Sequence, residues 1–142
     1  MRICFGELKE PIFSDFASFI DSKFVVSLEN VEFAVKKALN AWNSGKRISK
    51  SLAMEILLYY SATRQIDIAR KLAGVKRVVA VVLDEKRFAE IEFKEEKFSP
   101  EYDTELIKTH YQISDEELEI AGIEKLPLLI RERIALFSVF GD

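Results

Sequence analysis

The side chains with the most chemical reach in this 142-residue chain border one stretch. Lys46, Arg47 and Lys50 open it, Ser51 follows, and Arg64 and Gln65 close it. Arginine offers a planar, permanently charged fork suited to phosphate or to stacking on a base. Glutamine offers a donor and an acceptor for a base edge. These types bind; they do not by themselves break bonds. Residues that would break bonds are scarce. His110 is the only histidine and Cys4 the only cysteine, far apart in sequence. With no ordered acid cluster beside them, they make a poor metal site and a poor nucleophile pair. His110 is expected to be an ordinary surface or satisfied side chain. No Gly-x-Gly-x-x-Gly or Gly-Lys-Ser/Thr loop is present to cradle a nucleotide phosphate. The reading is of a non-catalytic chain that needs no cofactor. A small α/β enzyme with a site assembled from scattered residues stays open.

The polar ends need an element to hold them. Residues 52–60 are apolar apart from Glu55, and nothing in them breaks a helix. A helix apolar on nearly every side is a buried one. Ser51 is its natural N-cap, because the hydroxyl can accept an orphan amide of the first turn. Glu55 is costly to bury unless it is paired. An ion pair with Arg47, Lys50 or Arg64 would satisfy it, as would helix-end amides. The sharper alternative is a carboxylate that orients a basic residue toward RNA. Met54 reads as core by helical period, although a methionine at a helix edge can pack on a base.

Charge singles out the same region. The formal net charge is −3. Residues 36–77 nevertheless carry ten bases against two acids, a net of +8, and both flanks are acidic. A local positive field attracts phosphate even on an acidic protein. The plainer alternative is a solvated helix surface balanced by the acidic flanks. Apolar residues make up 49% and charged residues 32%, as in a globular domain with one core. No apolar run approaches the roughly 20 residues that span a bilayer. The first residues are too short and mixed a run for a signal peptide, and a lone cysteine gives no internal disulfide. A cytoplasmic location without membrane contact is the expectation.

The rest of the chain alternates. The pattern predicts a strand over 2–7, with Ile3 and Phe5 on one face and Cys4 on the other. It predicts a short helix from Pro11 through Phe13, Phe16, Phe19 and Ile20, then a strand over 23–28. Asn30 is read as the cap of an amphipathic helix with Val31, Ala34, Val35, Ala38, Leu39 and Trp42 inward, ending at 43–45. A helix follows Gln65 as far as Gly74. Residues 75–83 suit a strand covered on both faces. Residues 87–94 fit a short helix or a strand, and 95–103 a loop. Helices are read over 104–111, after Ser114, and over 128–133 behind Pro127, with a closing strand over 134–140. The fold class is α/β (α+β): one domain over 1–142, with helices packed around a small mixed central sheet.

The central stretch carries a resemblance. Ser51, Met54, Glu55, Ile56, Leu57, Ser61, Arg64, Gln65 and Ile66 stand in the order of the signature of the small kinase-binding subunit of the KEOPS complex. Glu132, Ala135 and Leu136 resemble that family's C-terminal Glu-x-x-Ala-Leu. Two positions depart: Tyr60 stands where the family has Ala, and Ala62 where it has Gly, a residue free to adopt a left-handed turn. The resemblance implies a non-catalytic subunit that docks on the amino-terminal lobe of an atypical kinase. It also implies that tRNA is held by its single-stranded 3′ CCA end for threonylcarbamoyladenosine modification. The RNA-contact set expected from it is Lys46, Arg47, Lys50, Ser51, Met54, Arg64 and Gln65, with Glu55 orienting. The docking surface is expected as an exposed apolar strip, with the Phe-rich segments near either end of the chain as candidates. A homodimer, and a plain interaction module without RNA binding, stay open.

Overall fold

A computed structural model describes residues 1–141. Four strands, β1 (Arg2–Leu8), β2 (Ala17–Asp21), β3 (Arg77–Val82) and β4 (Phe93–Glu96), form one sheet in the order β2-β3-β1-β4. The expected small mixed sheet is antiparallel throughout. β3 is its centre, with Ile3 opposite Val81 and Ile20 opposite Val79. Because side chains alternate along a strand, each face has its own core. Phe5, Ile20, Val79 and Val81 pack under the helices. Cys4, Leu8, Phe19, Val78, Ala80 and Val82 pack on the far face with Phe16 and Phe88. The expected sidedness of Ile3, Phe5 and Cys4 is therefore observed, as is the double covering of β3. Burial pushes the Cys4 thiol up to about 11.

The described residues form seven α-helices: α1 (Leu28–Asn43), α2 (Leu52–Ser61), α3 (Ile66–Ala69), α4 (Glu85–Phe88), α5 (Thr104–Tyr111), α6 (Asp115–Ala121) and α7 (Leu126–Phe140). The segment left open between helix and strand contains both, α4 and then β4. β4 also takes two residues from the expected loop over 95–103.

Three local expectations are overturned. The short helix from Pro11 to Ile20 is instead an irregular segment followed by β2. The three-residue spacing of Phe13, Phe16 and Phe19 imitates a helical face. In the sheet, Phe19 and Ile20 take opposite faces, while Phe13 lies in solvent. The strand over 23–28 is a 3-10 turn, Ser22–Phe24, capped by the Asp21 carboxylate accepting from Lys23 N. Val25 and Val26 are buried after it by packing rather than by pairing in the sheet. The closing strand over 134–140 is the second half of α7. Leu126, Ile130 and Ile134 are buried at four-residue spacing, and the Phe137 ring meets Tyr59 edge-on. Helical period thus overrides the β preference of Ile and Val.

The α1 cap also moves. Ser27 Oγ accepts from Asn30 N, so Ser27 is the N-cap. Asn30 is fully buried in the first turn. Its Nδ2 donates to the Pro127 carbonyl at 3.0 Å, and its Oδ1 accepts from Arg131 Nε at 3.1 Å. One amide thus pins α7 onto α1.

α2 lies at the centre, against α1, α3, α7 and β2. It runs as expected from the Ser51 cap, whose Oγ accepts from Met54 N at 3.1 Å. Ile56, Leu58 and Tyr60 are wholly buried. Each such side chain contributes roughly 1.5–3 kcal/mol of transfer free energy. The departure at Tyr60 has a partner: its hydroxyl donates to the Phe24 carbonyl at 2.6 Å.

Candidate nucleic-acid interface

Each end of α2 is fixed by a polar device. At the N-terminal end, Glu55 is 0% exposed. Its carboxylate accepts from Ile48 N and Ser49 N, both at 2.9 Å, and from Ser49 Oγ at 2.8 Å. The partners are amides of the preceding loop, not Arg47, Lys50 or Arg64. A buried carboxylate is tolerated when charge-assisted bonds replace its water. Placement in the first helical turn adds the favourable end of the helix dipole. Glu55 therefore acts on the backbone of the basic loop. Lys46 N, donating to the Ala41 carbonyl at 2.9 Å, fixes the loop's other side. Within that loop Arg47 lies over Trp42, its guanidinium carbon 3.7 Å from the ring centroid.

At the C-terminal end, Ala62 adopts the left-handed conformation, φ 53° and ψ 45°. The turn that glycine would favour is made by alanine. Thr63 N then donates to the Leu58 carbonyl and closes the helix. This turn projects Arg64, whose Nη1 donates to the Gly141 carbonyl at 3.1 Å.

A cleft of about 360 Å³ opens beside α2. Lys46 and Arg64 line it from the two ends of the helix, with Lys37, Asn40, Tyr59 and Phe137. The other expected contacts are dispersed. Gln65 lines a neighbouring cleft of about 520 Å³ with His110 and Phe140. Ser51 and Met54 line a third cavity that shares no residue with these two. Lys50 is exposed and outside all three. Sequence reasoning missed Lys37 and the walls Tyr59 and Phe137. The onset of the basic segment at Lys36 was the one signal pointing to Lys37.

The arginines on either side of the basic segment are paired. Arg2, Arg87, Arg131 and Arg133 are in ion pairs with acids. Arg77 bridges Glu96 and Glu101 and holds both carboxyls below the usual carboxylate range. Among the described residues, no ion pair uses Lys36, Lys37, Lys46, Lys50, Arg70 or Lys71. Their charge is available to an anion.

His110 is a structural tie, as expected of a satisfied side chain. Its Nε2 lies 2.8 Å from the Ser61 carbonyl, to which the neutral ring donates, and the ring packs on Phe24 and Tyr111. Burial lowers its pKa. An apolar surface along α7 adjoins both clefts, with Val139 lining the first and Leu136 and Phe140 the second. Leu128, Leu136, Val139 and Phe140 are exposed, the last two at 66% and 76%. Positions 128, 136 and 140 share one helical face.

Compared with known families, residues 7–137 match the model of kinase binding protein CGI-121. The chain belongs to this family of kinase-binding proteins. No curated protein matches it. Among the described residues, no helix is long and apolar enough to cross a membrane.

Proposed function

We propose that this chain is the non-catalytic kinase-binding subunit of a KEOPS tRNA-modification complex, and that it holds the 3′ CCA end of tRNA in the cleft beside α2. The observation that carries the RNA reading is the meeting of Lys37, Lys46 and Arg64 around one cleft. Three cations lining one cleft can meet the phosphates of a single strand. Single-stranded ends are held by a few charges plus stacking. The Arg47–Trp42 pair at the rim provides a flat stacking platform. Gln65 in the adjoining cleft offers a donor and an acceptor to a base edge. Lys50 adds field. Ser51 and Met54 serve α2 itself, one as cap and one as packing. The kinase lobe docks on the exposed apolar face of α7, the form such a surface takes.

The test is binding of labelled tRNA, intact or lacking CCA, to wild type, Lys46→Glu and Arg64→Glu at two salt concentrations. Lys46→Glu leaves the Arg64–Gly141 contact in place and so separates charge from any release of α7. The reading expects binding that needs CCA and weakens at least about tenfold in either variant. It also expects a salt slope near 0.7 per phosphate neutralised. Binding indifferent to CCA and to both variants refutes the tRNA role and leaves a kinase-docking module.

A further inference from the structure

A third cavity, of about 300 Å³, lies between β2, the N-terminal half of α2 and the segment after α3. It shares no lining residue with the two clefts above. Its floor is small, with Ala17, Ala53 and Gly74, and its walls are Met54 and Leu57. Gly74 already sits against the Asp21 backbone, where a Cβ would stand 2.8 Å from the Asp21 Cα. At the lip, Phe13 is 88% exposed and Val75 is also exposed. Phe13 and Val75 thus carry the apolar lining of the cavity out onto the surface.

Two features describe the occupant. Among the described residues, Ser14 Oγ is the one buried side-chain polar atom without a hydrogen-bond partner, and Ser14 lines this cavity. A purely apolar ligand would leave that hydroxyl unsatisfied, whereas an extended peptide brings amide and carbonyl groups. The rim is basic. Arg70 lines the cavity, and exposed Lys50 and Lys76 are chain neighbours of the lining residues Ser51 and Val75. None of the three joins an ion pair among the described residues. The acids beside lining residues are engaged: Asp15 by Arg87 at 2.8 Å, Glu55 by the amides of Ile48 and Ser49, and Asp21, whose backbone touches Gly74, by Lys23 N. The cavity lies at the small end of ligand clefts, which run from about 300 to 1,000 Å³, and so suits one side chain better than a cofactor.

We propose that this cavity docks an extended acidic segment of a partner protein through one bulky apolar side chain. The side chain fills the space between Met54 and Leu57, Phe13 folds over it, a backbone group pairs with Ser14 Oγ, and flanking carboxylates meet Arg70 and Lys50. The cavity shares no lining residue with the polar cleft or with the apolar face of α7, and its test reads amides and variants of the cavity itself.

The probe is an acetylated Glu-Asp-Phe-Glu-Asp amide titrated into the 15N-labelled chain. Controls carry Ala in place of the central Phe, Lys in place of the acids, or are adenosine monophosphate alone. The expected result is shifts at the amides of Ser14, Met54, Gly74 and Val75. Weakening of at least about tenfold, near 1.4 kcal/mol, is expected for the Ala and Lys controls. Phe13→Ser and Arg70→Glu, both at exposed positions, weaken the probe without changing the melting temperature. The proposal is overturned if shifts fall elsewhere or are absent at millimolar probe. It is also overturned if the variants bind as wild type, or if adenosine monophosphate moves the same amides more strongly, which would make this a nucleotide pocket.

Discussion

Removing the Glu55 carboxylate should loosen the basic loop before it unfolds the protein. In Glu55→Ala, two part-buried amides, Ile48 N and Ser49 N, lose acceptors at 2.9 Å, and Ser49 Oγ loses one at 2.8 Å. An orphaned buried donor costs about 1–3 kcal/mol, and bonds to a charged acceptor lie at the upper end. The favourable position in the first turn of α2 contributes a further ~0.3–1 kcal/mol. Water can reach the loop once it opens, so the net loss should be roughly 2–5 kcal/mol, a large share of an ordinary domain's stability. Glu55→Gln keeps the volume and one acceptor but points an amino group at donors, and should fall between. Urea unfolding gives the total, and native-state hydrogen exchange gives the location. Ile48 and Ser49 should be protected in wild type and exchange fast in both variants, while α1 and β3 stay protected. Unchanged protection at these two amides, or a loss below about 1 kcal/mol, would refute the assignment of Glu55 as the anchor of the loop.

Three further outcomes follow from the geometry. Ala62→Gly relieves a left-handed alanine, φ 53°, and should stabilise by about 0.5–1 kcal/mol after the extra freedom of glycine in the unfolded chain is subtracted; a lower urea midpoint would contradict this. Burial lowers the His110 pKa below its ordinary 6.5, so between the two values the unfolded chain binds more protons and stability rises with pH. Stability from this group is complete above 6.5 and declines as pH falls through that value. The melting temperature should therefore drop from pH 7.5 to 5.5, and drop less in His110→Gln, whose amide can still donate to the Ser61 carbonyl. Val139→Glu with Phe140→Asp, at positions 66% and 76% exposed, should weaken kinase binding at least about tenfold while shifting stability by under about 0.5 kcal/mol; equal affinity by calorimetry would move the docking face off α7.

Legibility from sequence followed the strength of local signals. α2 was readable to within a residue because Ser51 is a good cap and nothing interrupts the apolar run. α5 and α6 were readable for the same reason, each with a capping side chain, Asp103 and Ser114, in place. β2 and the second half of α7 were misread because windows of five to seven residues rich in Phe, Ile and Val fit either period. Tertiary packing decided them: Phe19 needed the far face of the sheet, and Ile134 the helical core. The cleft was less legible still. Lys37 comes from α1 and Phe137 from α7, and no local pattern announces that two such elements will meet on either side of Tyr59. The partners of Glu55 were invisible for a different reason. Every residue carries a backbone amide, so a carboxylate that binds amides leaves no mark on its partners' identities, and the nearby cations drew attention instead.

Both ends of α2 hold an arrangement that stability alone would not select. A buried carboxylate is commonly no better for stability than an apolar side chain of similar size, and a left-handed alanine is strained where glycine would not be. Neither feature adds to the core formed by Ile56, Leu58 and Tyr60, which is well packed without them. What each fixes is the path of the chain just outside the helix. Glu55 sets the loop that presents Lys46, and Ala62 sets the turn that presents Arg64. These two cations line the same cleft although eighteen positions separate them in the chain. A core helix needs no such precision at its ends to stay buried, but a cleft that must match the spacing of charges on a ligand does. On the proposed RNA reading, the left-handed turn at Ala62 falls where placement of charge matters and packing does not, and α2 is the rigid spacer between Lys46 and Arg64.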